Sequence, residues 1–246
     1  RCSLTFPHAQ THALTHPHTP RPKPKPSNMS TSSEGDTPDR SVQDAYDAWA
    51  SQYDRDDNAT RDLNAEVLRE QTFFSTDDDV LEIGCGTGLN TQWLAARAGQ
   101  VVAVDFSEAM LEKARTRLEE TDVILRPLDV TEPWSFEGRQ FDSVVSTLVL
   151  EHVERLGHVF REARRVLRPG GHLYLSELHP YRQLGGTQAN FDHEASGENV
   201  TIDAFSHPVS EFVNEGLDAG FAVREMGEWY GADDDGPRLL SILFEA

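Results

Sequence analysis

The sequence feature that most constrains the fold is a short apolar segment that runs directly into three alternating glycines. Residues 80–90 read Val-Leu-Glu-Ile-Gly-Cys-Gly-Thr-Gly-Leu-Asn. The apolar run over residues 80–83 predicts a buried strand. Glycines at Gly84, Gly86 and Gly88 let the backbone turn tightly and approach a ligand without a Cβ atom in the way. The segment therefore predicts a strand, a ligand-binding turn and a helix in succession.

Apolar runs of strand length alternate with helical patterns along most of the chain. Helices are predicted at residues 41–49, 62–74, 156–167 and 209–219, and another begins after Ser107, whose hydroxyl can cap it. Strands are predicted at residues 80–83, 100–105, 123–128, 141–147, 172–177, 221–228 and 239–245. This alternation is typical of a parallel sheet with helices on both faces.

The last two predicted strands are joined only by the acidic turn at residues 231–237. Strands that are joined by a short turn pair antiparallel. We therefore predict an α/β fold with a seven-stranded, mostly parallel sheet, helices on both faces and a C-terminal antiparallel hairpin. The polar stretch at residues 179–200 interrupts the alternation and is predicted to be irregular.

The N-terminal segment differs in composition from the rest of the chain. Residues 1–28 contain no acidic residue and six of the thirteen prolines, and they show no hydrophobic periodicity. We expect this tail to be disordered and to lie outside the native domain. The predicted domain spans residues 29–246, with a ligand-binding core at 80–175 and an insert at 178–208.

The charge and the cysteine content exclude several classes of partner. The chain has 22 basic and 42 acidic side chains, a net charge of −20 that repels nucleic acid and anionic membranes. No apolar run approaches the roughly 18 residues of a membrane-spanning helix. The two cysteines, Cys2 and Cys85, cannot form a disulfide framework or a thiolate metal site. We expect a cytoplasmic protein without nucleic-acid or membrane partners; the oligomeric state stays open.

The balance of charged residues also suggests adaptation to high salt. Residues 29–246 carry 18 basic and 42 acidic side chains, and Lys113 is their single lysine. This composition resembles that of proteins from salt-accumulating halophiles. A biased nucleotide composition of the source genome is an alternative explanation for the scarcity of lysine, but not for the excess of acids.

Two aspartates follow consecutive predicted strands. Asp105 ends the second strand and Asp129 follows the third. The carboxyl ends of parallel strands meet at one edge of a sheet, where open α/β folds bind their ligands. A carboxylate at the end of the second strand can accept hydrogen bonds from both hydroxyls of a ribose. Each aspartate alone is explained equally well as a helix cap or a turn former.

The glycine spacing separates two kinds of nucleotide site. The dinucleotide fingerprint requires a third glycine where Leu89 stands, so a nicotinamide cofactor is disfavoured. The chain instead resembles the class I S-adenosylmethionine-dependent methyltransferases, in particular small-molecule members of the type 11 kind. The motifs that carry this resemblance are Glu82-x-Gly84-x-Gly86-x-Gly88, Asp105-Phe-Ser-x-x-Met110, Leu128-Asp-Val130, Phe141-Asp-x-Val-Val leading to Glu151-His152-Val153, and Leu167-Arg-Pro-Gly-Gly171.

The resemblance implies a Rossmann-like fold, S-adenosylmethionine as cofactor, and roles for particular residues. Glu82 and the glycine turn are expected to hold the methionine part, Asp105 the ribose, and Asp129 with Val130 the adenine. Tyr46 and Tyr53 resemble a helix that covers the cofactor, although simple helix packing explains them nearly as well. The full set of expected cofactor residues is Tyr46, Tyr53, Glu82, Gly84, Gly86, Gly88, Asp105, Phe106, Met110, Asp129 and Val130.

The acceptor site is less defined by the sequence. Candidates to contact a small-molecule acceptor are His152, His179, Tyr181 and His207, since a histidine can remove a proton near neutral pH. Each histidine taken alone is better explained as a packing or surface residue than as a base, and no catalytic base is assigned. The fourth strand also lacks the carboxylates that hold magnesium in some members of the family, so a metal-independent reaction is expected.

The predicted function is methyl transfer from S-adenosylmethionine to an oxygen, nitrogen, sulfur or carbon atom of a small molecule. Two alternatives from other classes remain at this point. One is a nicotinamide-dependent oxidoreductase, and the other is a non-catalytic protein that binds S-adenosylmethionine.

Overall fold

The computed structural model describes residues 41–136 and 141–246. The tail predicted at residues 1–28, and the first residues of the predicted domain, lie outside the described residues. The described helices are α1 (Val42–Trp49), α2 (Ala59–Arg69), α3 (Leu89–Ala95), α4 (Glu108–Arg117), α5 (Leu156–Val166), α6 (Pro180–Leu184) and α7 (Val209–Asp218), with a short 3-10 helix at Leu150–His152. No helix in these two ranges is both long enough and apolar enough to cross a membrane.

The strands form one large sheet and one small ribbon. They are β1 (Asp79–Ile83), β2 (Gln100–Asp105), β3 (Ile124–Pro127), β4 (Phe141–Thr147), β5 (Leu167–Leu178), β6 (Asn190–Asp192), β7 (Asn199–Thr201), β8 (Ala222–Trp229) and β9 (Leu239–Glu245). In the described residues the large sheet has seven strands in the order β3-β2-β1-β4-β5-β9-β8.

The direction of the strands in the large sheet agrees with the prediction. Strands β1 to β5 run parallel, whereas β9 pairs antiparallel with both β5 and β8. The predicted mostly parallel sheet with a C-terminal antiparallel hairpin is therefore confirmed. The strand order reverses between β1 and β4, which places the ligand-binding crevice of this fold at their carboxyl ends.

Alternate residues of the central strands bury two separate apolar faces. Val102 and Val144 pack with α5 and α7, whereas their neighbours Val101 and Val145 pack with Leu68 of α2 and with α3 and α4. Strands that are buried on both faces are continuously apolar, which explains why the sequence reads as short apolar runs. The predicted helices on both faces are confirmed.

Helix α2 starts and ends earlier than the apolar periodicity predicts. It begins at Ala59, where the Asn58 side chain accepts a hydrogen bond from the Arg61 N–H, and it ends at Arg69 instead of Phe74. Phe73 stacks on Tyr174 at 5.1 Å and Phe74 packs edge-on against a tryptophan of α3. The two phenylalanines thus cover the sheet from a loop. Their spacing continues the helical period of α2, and for this reason the predicted helix is too long.

The predicted irregular stretch contains regular structure. Residues 179–200 include helix α6, strand β6 and the start of β7, and the β6-β7 ribbon packs on α1. The rings of Trp49 and Phe191 stack at 4.9 Å with an angle of 8° between their planes. This contact joins the insert to the N-terminal helix at the edge of the crevice.

Candidate active site

A cleft opens at the carboxyl ends of β1, β2 and β4, beneath helix α1. It encloses about 870 Å³ of empty space, part of which is open to solvent. Ten of the residues singled out from the sequence line it: Tyr46, Tyr53, Gly84, Gly86, Asp105, Phe106, Met110, Asp129, Val130 and His152. The structure therefore brings together residues from α1, the glycine turn and the ends of consecutive strands.

The glycine turn needs glycine for two different reasons. At Gly84, where φ is +68°, a Cβ atom would overlap the side chain of Val149, which lines the cleft. At Gly88, where φ is +81°, a Cβ atom would crowd Ala114 and Leu118 beside helix α4. Gly88 is not among the residues that line the cleft, so its position serves the packing of α3 against α4.

Asp105 connects the glycine turn to the end of β2. Its carboxylate accepts hydrogen bonds from the Gly86 N–H at 2.8 Å and from the Ser107 N–H at 2.9 Å. Burial raises the pKa of the Asp105 carboxyl to about 6, although the backbone hydrogen bonds oppose this rise. Ser107 caps α4 as predicted, since its hydroxyl accepts from the Met110 N–H. The carboxylate is thus fixed at the wall of the cleft.

A polar lobe extends the cleft behind the glycine turn, and Glu82 lies in it with Arg61 and Asn64. The Thr91 hydroxyl donates to Glu82 at 2.5 Å, and burial raises the pKa of the Glu82 carboxyl to about 8. The Asn64 amide donates to Ser176, whereas its Oδ1 atom is buried without a hydrogen-bond partner in the described residues. The Arg61 guanidinium already donates to the Asp62 carboxylate and to two backbone carbonyls. The lobe therefore offers a ligand one unsatisfied acceptor, the Asn64 Oδ1 atom.

A second pocket of about 840 Å³, also partly open to solvent, adjoins the cleft on the side of the insert. We call it the acceptor pocket; Tyr46, Trp49 and Tyr53 form one side, and Leu148 and Glu151 another. The remaining lining residues are Asp57, Asn58, Ala59, Thr60, Leu178, Thr187, Gln188, Ala189 and Asn190. Tyr46, Tyr53 and Leu148 line both cavities, so these three residues mark the place where they meet.

Leu148 has a strained backbone at this junction. Among the described residues it is the only non-glycine residue with a positive φ, +58°, a conformation that costs about 1–3 kcal/mol. Its N–H donates to the Ser176 carbonyl, and the next two N–H groups, of Val149 and Leu150, donate to the buried Glu177 carboxylate. Burial raises the pKa of the Glu177 carboxyl to about 8.

His152 holds helix α1 over the cleft. Its Nδ1 atom lies 2.8 Å from the Asp203 carbonyl oxygen, and its Nε2 atom lies 2.9 Å from the Tyr46 hydroxyl. Because a carbonyl oxygen can only accept, Nδ1 carries the proton. In the neutral ring Nε2 is then the acceptor of the Tyr46 O–H. His152 therefore fixes Tyr46 at the wall that the two cavities share.

The other three acceptor candidates lie away from both cavities. His179 caps α6 by accepting from the Tyr181 N–H at 3.0 Å, and its Nε2 lies 3.2 Å from Glu228. His207 is buried and donates from Nε2 to the Val153 carbonyl at 2.8 Å. Tyr181 is 58% exposed. None of the three lines the cleft or the acceptor pocket, so their role at an acceptor site stays a prediction.

Arg61, Asn64 and Leu148 line the site but were not predicted from the sequence. Glu151 was predicted only as a member of the motif Glu151-His152-Val153. Arg61 and Asn64 lie on α2, outside any recognisable spacing, and only the packing of α2 against the sheet carries them to the polar lobe. A usable signal existed for Glu151, because an acidic residue beside His152 just beyond a predicted strand belongs to the same sheet edge as Asp105.

Comparisons with known proteins show a likeness to methyltransferases. A family described as a methyltransferase domain matches residues 81–175. An uncharacterized methyltransferase of Emericella nidulans is 29% identical over a 218-residue alignment that covers 73% of this chain and 75% of that protein. A ubiquinone biosynthesis O-methyltransferase of Alkalilimnicola ehrlichii is 36% identical over 101 residues, which cover 40% of this chain and 41% of that protein. This chain thus spans only about two fifths of the second relative.

Solved structures extend the likeness to the whole fold. The N-methyltransferase NodS of Bradyrhizobium japonicum, solved with S-adenosyl-L-homocysteine, superposes with a TM-score of 0.63 at 18% identity, over 84% of this chain and 98% of its own. The comparisons do not favour the nicotinamide-dependent oxidoreductase. The chain is thus similar to the class I S-adenosylmethionine-dependent methyltransferases, and the comparisons support S-adenosylmethionine as its cofactor.

Proposed function

We propose that this protein transfers a methyl group from S-adenosylmethionine to a small molecule that binds in the acceptor pocket. The observation that carries the proposal is that the cleft and the acceptor pocket meet at Tyr46, Tyr53 and Leu148. Two ligands that fill the two cavities can therefore approach each other at this junction. The residues 178–208 supply part of the outer wall of the acceptor pocket, as expected of an acceptor-site insert.

The residues of the cleft fit the cofactor. S-adenosylmethionine, when bound, supplies an electrophilic methyl group on a positively charged sulfur. Asp105 is suited to accept hydrogen bonds from the ribose hydroxyls, and Asp129 with Val130 lines the part of the cleft where the adenine is expected. In the polar lobe, the unsatisfied Oδ1 of Asn64 suits an ammonium group.

The chain's own contribution to the reaction is positioning and the exclusion of water. Tyr46 and Tyr53 cover the junction, and His152 holds Tyr46 in place. Fixed orientation of two reactants can lower the barrier by several kcal/mol. In the described residues no three side chains of His, Cys, Asp or Glu gather as a metal site would require, and the proposal involves no metal ion.

The proposal is tested by binding and by transfer. Calorimetry should show S-adenosylmethionine binding with a Kd in the micromolar range, about −8 kcal/mol, and no comparable binding of NAD⁺. Incubation with methyl-labelled S-adenosylmethionine and a mixture of metabolites should release S-adenosylhomocysteine in proportion to the labelled product. Tighter binding of NAD⁺ would refute the assignment. Cofactor binding without release of S-adenosylhomocysteine in any mixture would instead favour the non-catalytic alternative.

A further inference from the structure

We propose that the acceptor is a small aliphatic amine that binds through its ammonium group to Glu151 and becomes methylated on nitrogen. This inference rests on the proposed function, because it concerns the chemistry of the acceptor pocket. It commits to one acceptor class among the oxygen, nitrogen, sulfur and carbon nucleophiles that the sequence leaves open.

Glu151 is a buried carboxylate that lacks a strong partner. Its side chain lines the acceptor pocket and the residue is 6% exposed. The Gln183 amide donates to Oε2 at 3.4 Å, which is long for a hydrogen bond, and His152 Nε2 lies 3.9 Å from Oε1. Since Nε2 already accepts the Tyr46 hydroxyl proton, the neutral ring has no proton to give Glu151.

A buried carboxylate with a single weak donor is costly, and a ligand that brings its own cation reduces the cost. Burial raises the pKa of the Glu151 carboxyl, opposed by the nearby His152 and the Gln183 amide. An ammonium group that enters the pocket supplies both a positive charge and N–H donors for this carboxylate.

The other charges of the pocket point to the same class of ligand. The second charged residue of the lining is Asp57, which is exposed at the rim, and the described lining contains no lysine and no arginine. Carboxylate and phosphate acceptors would meet these two negative charges. The arginines nearest to the lining, Arg61 over the Tyr53 ring and Arg238 beside Thr60, are already paired with aspartates of the protein. A cationic acceptor meets favourable charge both at the rim and at depth.

The aromatic side of the pocket suits a cation as well. Tyr46, Trp49 and Tyr53 stand together, with 4.7 Å between the ring centroids of Trp49 and Tyr53 and 6.0 Å between those of Tyr46 and Trp49. Trp49 cannot turn away easily, because its ring stacks on Phe191 at 4.9 Å. Aromatic faces attract ammonium groups by about 0.5–2 kcal/mol, more strongly when water is excluded.

The chemistry of the step balances with Glu151 as the first proton acceptor. The bound ammonium group gives one proton to Glu151 and becomes a free amine. The nitrogen lone pair then forms the bond to the methyl carbon while the carbon–sulfur bond breaks and its electron pair stays on sulfur. The product leaves as a methylammonium ion, and Glu151 returns its proton to solvent.

Ligand binding tests the inference independently of turnover. The probes are 2-phenylethylamine, 2-phenylethanol and phenylacetate, which share one ring and differ in charge, and calorimetry measures their binding to the protein saturated with S-adenosylhomocysteine. We expect the amine to bind at least tenfold more tightly than the alcohol, and phenylacetate to bind least. Glu151→Gln should reduce the preference for the amine about tenfold. Glu154→Gln, a change at an exposed residue three positions away, should leave the preference unchanged.

A second variant protects the test against misfolding. If Glu151→Gln lowers the melting temperature substantially, the binding test is repeated with Asp57→Asn, a change at the exposed rim. This variant should lose two- to threefold of the preference for the amine over the alcohol. Equal binding of amine and alcohol, no binding of the amine, or a preference that survives both variants would overturn the inference.

Failure of the inference is distinguishable from failure of the proposed function. If the protein binds S-adenosylmethionine and methylates an alcohol or a thiol but no amine, the inference fails alone. If it does not bind S-adenosylmethionine, the proposed function fails first.

Discussion

Asp105 is the residue whose chemistry the cleft depends on most directly. Its carboxylate is 6% exposed and is held by the N–H groups of Gly86 and Ser107. Only the ionised form can accept strong, charge-assisted hydrogen bonds from ribose hydroxyls. Because burial raises the pKa of this carboxyl to about 6, a modest fall in pH already populates the protonated form.

We therefore expect the affinity for S-adenosylmethionine to fall about tenfold as the pH is lowered from 7 to 5, since the ionised fraction of Asp105 falls about tenfold for each pH unit below its pKa. Asp105→Asn should bind 1–3 kcal/mol more weakly at pH 7 and lose this pH dependence. Calorimetry at four pH values measures both effects. Asp122→Asn, at an exposed aspartate, should follow the parent protein, and a flat profile in the parent would contradict the role of Asp105.

Single residues also show what sequence can and cannot reveal about the site. Glycines at fixed spacing and aspartates at strand ends are visible because the backbone itself requires them there. Arg61 and Asn64 reach the polar lobe only through the docking of α2, which leaves no local pattern. His179 and His207 have the right chemistry for an acceptor site, but one caps a helix and the other bonds a backbone carbonyl.

At the scale of elements, α1 covers the cleft but is too short to be stable alone. A helix of eight residues is marginal in water, so α1 depends on its contacts with the domain. Gln43 donates to the Phe106 carbonyl at 2.7 Å, and Asp47 accepts from the Ser107 hydroxyl at 2.5 Å. Asp47 lies near the C-terminal end of α1, where a negative charge disfavours the helix. Any stabilisation that Asp47 provides must therefore come from its hydrogen bond to Ser107, which docks α1 on the domain.

Asp47→Ala should release α1 from the rim of the cleft without weakening the helix itself. We expect the Kd for S-adenosylmethionine to rise about fivefold, which corresponds to about 1 kcal/mol for the lost hydrogen bond. Amide hydrogen exchange over residues 42–49 should become faster in the free protein. Asp44→Ala, at an exposed residue of the first turn of the same helix, is the matched control. Equal affinities in the two variants would show that α1 does not need this contact.

The sheet was predictable element by element because its central strands are buried on both faces. The bounds of β2, β4 and β9 agree with the apolar runs, which end where the chain leaves the core. Helix α2 was misjudged because Phe73 and Phe74 continue its periodicity from a loop. The β6-β7 ribbon escaped prediction because its strands of three residues depend on the contact between Phe191 of β6 and Trp49 of α1, which are far apart in sequence. Helix α6 escaped prediction because its five residues are too few to show a helical period.

The whole molecule carries a charge that its folded surface must accommodate. Residues 29–246 hold 42 acidic and 18 basic side chains. Several arginines pair with acids at the surface, such as Arg55 with Glu194 and Arg115 with Glu108, but exposed pairs contribute little stability. Most carboxylates thus repel one another, and this repulsion destabilises the compact state in dilute buffer.

We propose that the fold is adapted to high salt, and thermal unfolding in potassium chloride tests this. The melting temperature should rise steeply around 0.1 M, where the Debye length is about 10 Å, because screening relieves the repulsion. It should continue to rise toward about 1 M, where the Debye length is about 3 Å, if hydrated cations also stabilise the acidic surface. The double variant Asp233→Asn, Asp235→Asn, in the exposed part of the acidic turn, should melt higher than the parent at low salt and equally at high salt. A melting temperature that stays flat or falls over the whole range would refute salt adaptation and would leave the proposed methyltransferase function untouched.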